Sequence, residues 1–535
     1  MTKNSFLKGA AVLSISGLIV KIIGAIYRIP LTNLIGTEGI GNFQPAYQVY
    51  NLLLVISLAG FPTAVARMVS EKIALNNYEG AHQVFRVSLK LIITISVLSS
   101  LGVFLFAKQI AHWIGFPGSY YSLLALTPAL LIVPIMSVYR GYFQGMQNML
   151  PTAYSQILEQ FIRFVTGLSL AYFLASTSLE MAAGGASFGA SAGGLCAFLL
   201  MIVLYFKERN KIKYNIQSST ENSSEDARFL IRRLLNIVIP ITLGASIVPL
   251  MGLIDARLVS MRLLQIGYSV AEATDFYGQL SGTAQTFINF PQVFSIAIAM
   301  SLVPVISNAY TRHDKEGLEQ TTHLGMRTSL IIGLPSAMGL FILAEPIIVL
   351  FYPALGSATH QSVGQLLAIL AVSVVFLTLV QSLTAILQAV DKQRLPVKNL
   401  AIGAIVKVVL TYVLVGIPAL NVQGAAYSTI AAYSTAAILN YRDLNKYTEV
   451  KISLLSVSIR PLMASGIMGI IVYVSYMIAM PMLGMKMATA VAILLGVIIY
   501  GIALPLTKTI TAEDLEMLPK GQAIYRLFKK ARLMK

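Results

Sequence analysis

Charged residues are scarce in this sequence. Asp, Glu, Lys and Arg make up 11% of its 535 residues, whereas soluble domains carry about 25%. Hydrophobic residues make up 56% and the mean hydropathy is +0.75. This composition excludes a soluble protein and predicts an integral membrane protein, because its long apolar runs match the length that crosses a bilayer.

Cysteine and the common catalytic motifs are also lacking. The single Cys196 excludes an intrachain disulfide and any metal site built from several cysteines. We find no G-x-x-x-x-G-K-[ST] phosphate loop, no H-E-x-x-H and no G-x-S-x-G. The sequence therefore predicts a protein that is not an enzyme and has no cofactor, and it does not indicate a coupling ion.

Acidic residues are few relative to basic ones. Lys and Arg number 39 against 22 for Asp and Glu, which gives a net charge of +17. The cations fall between apolar runs rather than on one soluble segment. We therefore expect membrane lipids as the partner and exclude nucleic acid.

The apolar runs predict an all-α membrane protein with about fourteen transmembrane helices, since one span takes about 20 residues. They lie near 9–32, 43–66, 86–107, 120–143, 154–175, 183–206, 234–258, 279–306, 325–352, 362–388, 397–418, 421–441, 457–480 and 485–506. Lys and Arg concentrate in alternate connections, in the polar stretch 207–233 and after residue 507. This distribution predicts that both termini lie in the cytosol.

The two halves of the chain resemble each other. FQGMQNMLPTAYSQILEQFIRFVTGLSL (143–170) aligns with LQAVDKQRLPVKNLAIGAIVKVVLTYVL (387–414). We predict two six-helix lobes related by a pseudo-two-fold axis along the membrane normal; chance similarity between apolar segments is the alternative. The predicted domains are an N-lobe (1–206), a flexible cytosolic linker (207–233), a C-lobe (234–441), a helix pair (442–506) and a basic amphipathic tail (507–535).

Several cations lie inside apolar runs, where a charge is costly and usually faces a cavity or a partner. Lys21 and Arg28 are two helical turns apart in SGLIVKIIGAIYRIPLTNLIG (16–36). We predict that they line an interior cavity with Arg257 and Lys407, and that Asp255 adds a polar group there. Such a cavity suits an anion, and phosphates in particular. Snorkelling is the alternative for Lys21 and Arg28, and a carboxylate partner is the alternative for Lys407.

Two further patterns predict packing. Glu159 lies four residues before Arg163, a spacing that predicts a structural ion pair. Gly185, Gly189 and Gly193 form a small-residue stripe, which predicts close contact between two helices.

The stretch VPIMSVYRGYFQGMQNMLPTAYSQILEQFIR (133–163), the cationic first span and the six-six-two arrangement resemble the polysaccharide-transporter branch of the MOP exporter superfamily. This branch includes the MurJ-type lipid II flippases and the stage V sporulation protein B group. The resemblance implies an alternating-access flippase in the bacterial cytoplasmic membrane. Its cargo would be an undecaprenyl-pyrophosphate-linked saccharide, lipid II or a related cell-wall precursor, carried from the inner to the outer leaflet.

The resemblance also implies roles for particular residues. Lys21 and Arg28 match the family's pyrophosphate-binding cations, with Arg28 one residue off in spacing. Asn42 stands where lipid II flippases often carry an Asp, so we expect it to be a polar cavity residue. The last two spans would hold the lipid tail, and we expect a monomer. The alternatives are a cation-coupled multidrug exporter of the same superfamily and a non-transporting scaffold of envelope assembly.

Overall fold

The computed structural model describes residues 3–219, 225–448, 453–510 and 526. These residues form helices and short connections, and no strand occurs among them. The contacts divide the chain into two compact units that meet between Gly278 and Gln279.

The described residues of the first unit form eight α-helices. They are α1 Lys3–Leu58, α2 Phe61–Ala74, α3 Tyr78–Ile114, α4 Tyr120–Gly145, α5 Leu150–Ala175, α6 Leu179–Gln217, α7 Ala227–Gln265 and α8 Val270–Tyr277, with a 3-10 turn at Pro117–Ser119. The α5–α6 pair is packed most extensively, followed by α4–α6 and α3–α4. A π-helical stretch, Gly278–Ala284, leads out of this unit.

The second unit contains the remaining helices. Its described elements are α9 Gln285–Thr311, α10 Lys315–Ile342, α11 Ala344–Phe351, α12 Ser357–Ala389, α13 Arg394–Val415, α14 Gln423–Thr448 and α15 Leu454–Leu506. Helix α12 lies at the centre of this unit, because it packs against α9, α10 and α14.

The number of spans is consistent with the predicted fourteen. Eleven helical segments of the described chain are long and apolar enough to cross a bilayer. Two of them include a sharp bend within one long helix, at Gly36 of α1 and at Gly484 of α15, which divides that helix into two. Helix α14 is less apolar and is not among the eleven, but it packs extensively on α13.

The polar stretch predicted to be a flexible linker is largely helical. Helix α6 has 39 residues, a length of about 58 Å, and so extends well beyond a bilayer core of about 30 Å. Glu225 anchors the connection to α7: its carboxylate accepts from Lys72 Nζ at 2.5 Å, and its backbone bonds reciprocally with the Gln83 amide. The amphipathic tail lies outside the described residues apart from 507–510 and Arg526.

Candidate functional site

The cations of the first span lie on a different face of α1 from its exposed isoleucines. Ile22 and Ile26 of α1 are exposed apolar side chains, at 39% and 47%. Lys21 and Arg28 project roughly 130° around the helix axis from these isoleucines, at about 100° per residue. Lys21 is exposed and Arg28 is partly buried. The two cations therefore share a face that is distinct from the exposed isoleucine face.

Helix α5 packs in parallel along the neighbouring face of α1. Ser16 donates a hydrogen bond to Gln156 Oε1 at 3.3 Å, and a Cβ on Gly24 would lie 3.2 Å from Gln160 Nε2. Further along, the ring centroids of Tyr27 and Phe164 are 6.0 Å apart. Residue numbers thus increase in the same direction along α1 and α5 where the two helices touch. This register places Arg163 of α5 at the level of Tyr27, the residue before Arg28.

Arg163 lies among phenols of both arms of α1. Its guanidinium carbon is 4.8 Å from the centroid of the Tyr47 ring, and the phenolic oxygen of Tyr47 lies within electrostatic range of the guanidinium. Tyr27 and Tyr50, both almost fully buried, also lie within electrostatic range of the guanidinium. Cation–π contact and phenolic oxygens stabilise a cation inside a helical bundle without neutralising it.

Glu159 pairs with Arg140, which differs from the predicted Glu159–Arg163 pair. Arg140 Nη2 donates to Glu159 Oε2 at 2.8 Å, and Arg140 Nε donates to Ser155 Oγ at 2.9 Å. The spacing in α5 permits an ion pair within the helix, but Arg140 reaches the carboxylate from the facing helix α4. The second bond to Ser155 fixes its geometry, and Arg163 turns to the tyrosines of α1.

The glycine stripe allows α5 and α6 to approach closely, as predicted. A Cβ on Gly189 would lie 2.6 Å from the Arg163 carbonyl oxygen, and one on Gly193 would collide with the Glu159 carbonyl oxygen. Tyr27 uses the same close approach, since its hydroxyl donates to the Ala186 carbonyl at 3.1 Å. Helix α6 therefore supports the turn of α5 that carries Glu159 and Arg163.

The other predicted site residues lie elsewhere. Asn42 is buried, with its amide against Gly118 at the α3–α4 connection. Arg257 of α7 lies at the same connection, with Nη1 3.7 Å from the position of a Cβ on Gly115. Asp255 is partly buried on α7.

Lys407 belongs to the second unit. It lies on α13 and is partly buried. The first unit thus contains five of the predicted cavity residues: Lys21, Arg28 and Asn42 on α1, and Asp255 and Arg257 on α7. The assignment of all six residues to one cavity stays a prediction.

Sequence reasoning missed two features of this interior. Arg140 is not among the predicted site residues, since it follows an apolar run. The tyrosines around Arg163 were not connected with it, although Tyr47 and Tyr50 are three residues apart and so share a helix face. The pairing of these residues depends on contacts between helices, which the spacing within one helix does not reveal.

The family model described as "Polysaccharide biosynthesis protein" matches residues 6–310, more than half of the chain. The chain belongs to this family. A second model, described as MatE, matches residues 281–413. These matches confirm the resemblance to the MOP superfamily that the sequence indicated.

Curated relatives of the family match most of the chain. Stage V sporulation protein B of Bacillus subtilis (strain 168) is 28% identical over 85% of this chain and 86% of its own length. Lipid II flippase MurJ of the same organism is 26% identical over 88% of both chains.

Solved structures show the same fold. The inward closed conformation of lipid II flippase MurJ superposes with a TM-score of 0.69 and 16% identity, covering 92% of this chain and 97% of that one. An inward-facing multidrug resistance MATE family transporter of the MOP superfamily gives the same TM-score and identity, covering 82% and 98%. Together with the apolar helices, this confirms an all-α, multi-pass membrane protein of the MOP transporter fold.

Proposed function

We propose that this protein is a flippase that moves an undecaprenyl-pyrophosphate-linked saccharide, lipid II or a related cell-wall precursor, from the inner to the outer leaflet of the bacterial cytoplasmic membrane. The observation that carries the proposal is the cationic face of α1. Lys21 and Arg28 lie away from the exposed isoleucines, and Arg163 lies at the level of Arg28. Charges inside apolar spans usually face the bundle interior or a water-filled cavity, and they mark substrate or ion pathways.

The chemistry of the cargo matches these groups. Guanidinium and ammonium groups bind phosphate oxygens through charge-assisted hydrogen bonds, and two linked phosphates offer more acceptors than a single carboxylate. The relatives' names, lipid II flippase MurJ and stage V sporulation protein B, support a lipid-linked cell-wall precursor over other anions. Alternating access between two lobes supplies the route, with both termini in the cytosol.

The second candidate is a cation-coupled multidrug exporter. The MatE match over residues 281–413 and the MATE-like fold favour it. An exporter of cationic drugs would need an acidic interior, whereas Lys21, Arg28 and Arg163 charge the first unit positively. The third candidate, a non-transporting scaffold, would tolerate neutral residues at Lys21 and Arg28.

Complementation of a strain depleted of its lipid II flippase tests the proposal. We expect growth to be restored and lipid II to be detected in the outer leaflet. Growth without lipid II outside, or resistance to cationic drugs as the only phenotype, would contradict the proposal. An unrelated membrane protein expressed at the same level is the control.

A further inference from the structure

Arg140 and Arg163 lie close to the same part of α5 but differ in how their charges are balanced. Arg140 reaches α5 from α4, whereas Arg163 belongs to α5 itself. Arg140 is neutralised by Glu159 at 2.8 Å. No carboxylate forms an ion pair with Arg163 among the residues that the structure describes, and its partners are phenols. The cluster of Arg140, Glu159 and Arg163 therefore keeps one positive charge.

The charge of Arg163 lies close to the predicted anion-binding cations of α1. Arg163 lies beside Tyr27, whose neighbour in the chain is Arg28. The Tyr47 ring contacts the guanidinium from the second arm of α1, beyond the bend at Gly36. Arg163 is also partly accessible despite its place between helices, so its field is not fully enclosed by protein.

The packing around Arg163 makes this position rigid. Gly189 and Gly193 of α6 press against the backbone of α5 at Arg163 and Glu159. Tyr27 is fixed in turn by its hydrogen bond to Ala186 and by the absence of a side chain on Gly167, which its hydroxyl overlies. A cation held in this way needs no rearrangement before it acts on a bound anion.

We propose that Arg163 is a third anion-recognition group of the first unit. It positions the cationic face of α1 through its contacts with Tyr27 and Tyr47. Its positive charge, which no carboxylate among the described residues neutralises, selects a pyrophosphate over an uncharged lipid. This inference rests on the proposed function. It adds a residue on α5 to the predicted cations of α1, and it assigns Arg163 a role in selectivity instead of a structural ion pair.

The test measures the binding of farnesyl pyrophosphate and of farnesol to the purified full-length protein by calorimetry in detergent. We expect Arg163→Met to weaken farnesyl pyrophosphate binding about tenfold, the effect of one unit charge at a separation on the order of 10 Å and an effective dielectric constant of about 20. Farnesol binding should be unchanged. Arg163→Lys, which keeps the charge, should recover most of the lost affinity.

The matched control is the double variant Arg140→Met/Glu159→Met, which removes two opposite charges from the same turns of α5 and should leave the preference for pyrophosphate intact. If Arg163→Met binds farnesyl pyrophosphate as tightly as the wild type, the inference is overturned. If the variant loses both ligands equally, Arg163 is structural only. If Arg163→Met does not fold, Tyr47→Phe decides. This variant removes the phenolic oxygen beside the guanidinium, and about a threefold loss for farnesyl pyrophosphate alone supports the role. No loss overturns it.

The wild-type protein distinguishes this inference from the proposed function. If it shows no preference for farnesyl pyrophosphate over farnesol, the anion-binding interior itself is wrong. If it shows the preference and Arg163→Met retains it, only the role of Arg163 is wrong.

Discussion

At the scale of single residues, Arg140 and Arg163 show two ways in which a membrane protein holds cations. The Arg140 side chain is 9% exposed and its carboxylate partner, Glu159, is 21% exposed. Such a pair is costly to desolvate, and it is costlier still to break, because one charge is then left buried without a partner. Arg163 is stabilised differently, by aromatic faces and phenolic oxygens instead of a carboxylate.

Glu159→Gln should destabilise the protein by about 2 kcal/mol, because Arg140 loses its counter-charge but keeps Ser155 and an amide acceptor. The measurement is the thermal unfolding of the purified protein in detergent. Arg67→Ala is the control: its side chain is 66% exposed, and an exposed ion pair contributes less than about 1 kcal/mol. Equal stability of the Glu159→Gln variant and the wild type would show that the Arg140 pair is not structural.

The same residues show the limits of sequence reasoning about the site. The intramembrane position of Lys21, Arg28 and Arg163 follows from hydropathy alone, because a charge inside an apolar run is conspicuous. The partner of Glu159 does not follow, since a spacing of four residues allows Arg163 while the facing helix supplies Arg140. Contacts between helices depend on how the faces rotate, which no single helix specifies.

At the scale of helices, glycine sets how closely α5 and α6 approach. Gly189→Ala should destabilise the protein by roughly 1–3 kcal/mol, because a methyl group there would overlap the Arg163 carbonyl oxygen and force the helices apart. Gly102→Ala on α3 is the matched control, since its Cβ would meet nothing within 4 Å. Unfolding temperatures in detergent compare the two; a similar value for both variants would contradict the packing described.

The bend in α1 depends on glycine for another reason. Gly36 has φ +66° and ψ −178°, a conformation open almost only to glycine. Gly36→Ala should therefore cost about 1–3 kcal/mol through backbone strain alone, because its Cβ would meet no atom within 4 Å. Gly17→Ala has the same free space in an ordinary helical conformation, and its unfolding temperature should not fall.

The transmembrane spans could be predicted from the sequence, but the bends and the ends of the helices could not. The apolar runs at 9–32 and 43–66 indicated two helices and a loop, whereas α1 continues through this region and bends at Gly36. The polar composition of 207–233 indicated a flexible linker, whereas α6 runs to Gln217 and Glu225 is bound to Lys72 and Gln83. Hydropathy reports which residues tolerate lipid; it does not report where a helix bends or continues into water.

At the scale of the whole molecule, the fold is shared by proteins with different cargoes, as the MurJ and MATE structures illustrate. The fold alone therefore does not specify the cargo. In this account, the positive charge of the interior specifies the cargo. The chain has more cations than carboxylates as a whole, and those of α1 and α5 lie in apolar runs, with Lys21 and Arg28 on a different face from the exposed isoleucines.

The most direct test is the rate at which the purified protein, reconstituted in vesicles, moves lipid II from one leaflet to the other. We predict that the wild type and Ile22→Ala, a change on the exposed isoleucine face of α1, transport at similar rates. The double variant Lys21→Ala/Arg28→Ala should transport at least about tenfold more slowly, because two charge-assisted contacts to the pyrophosphate are lost. Equal rates for the double variant and the wild type would contradict the claim that these cations receive the cargo.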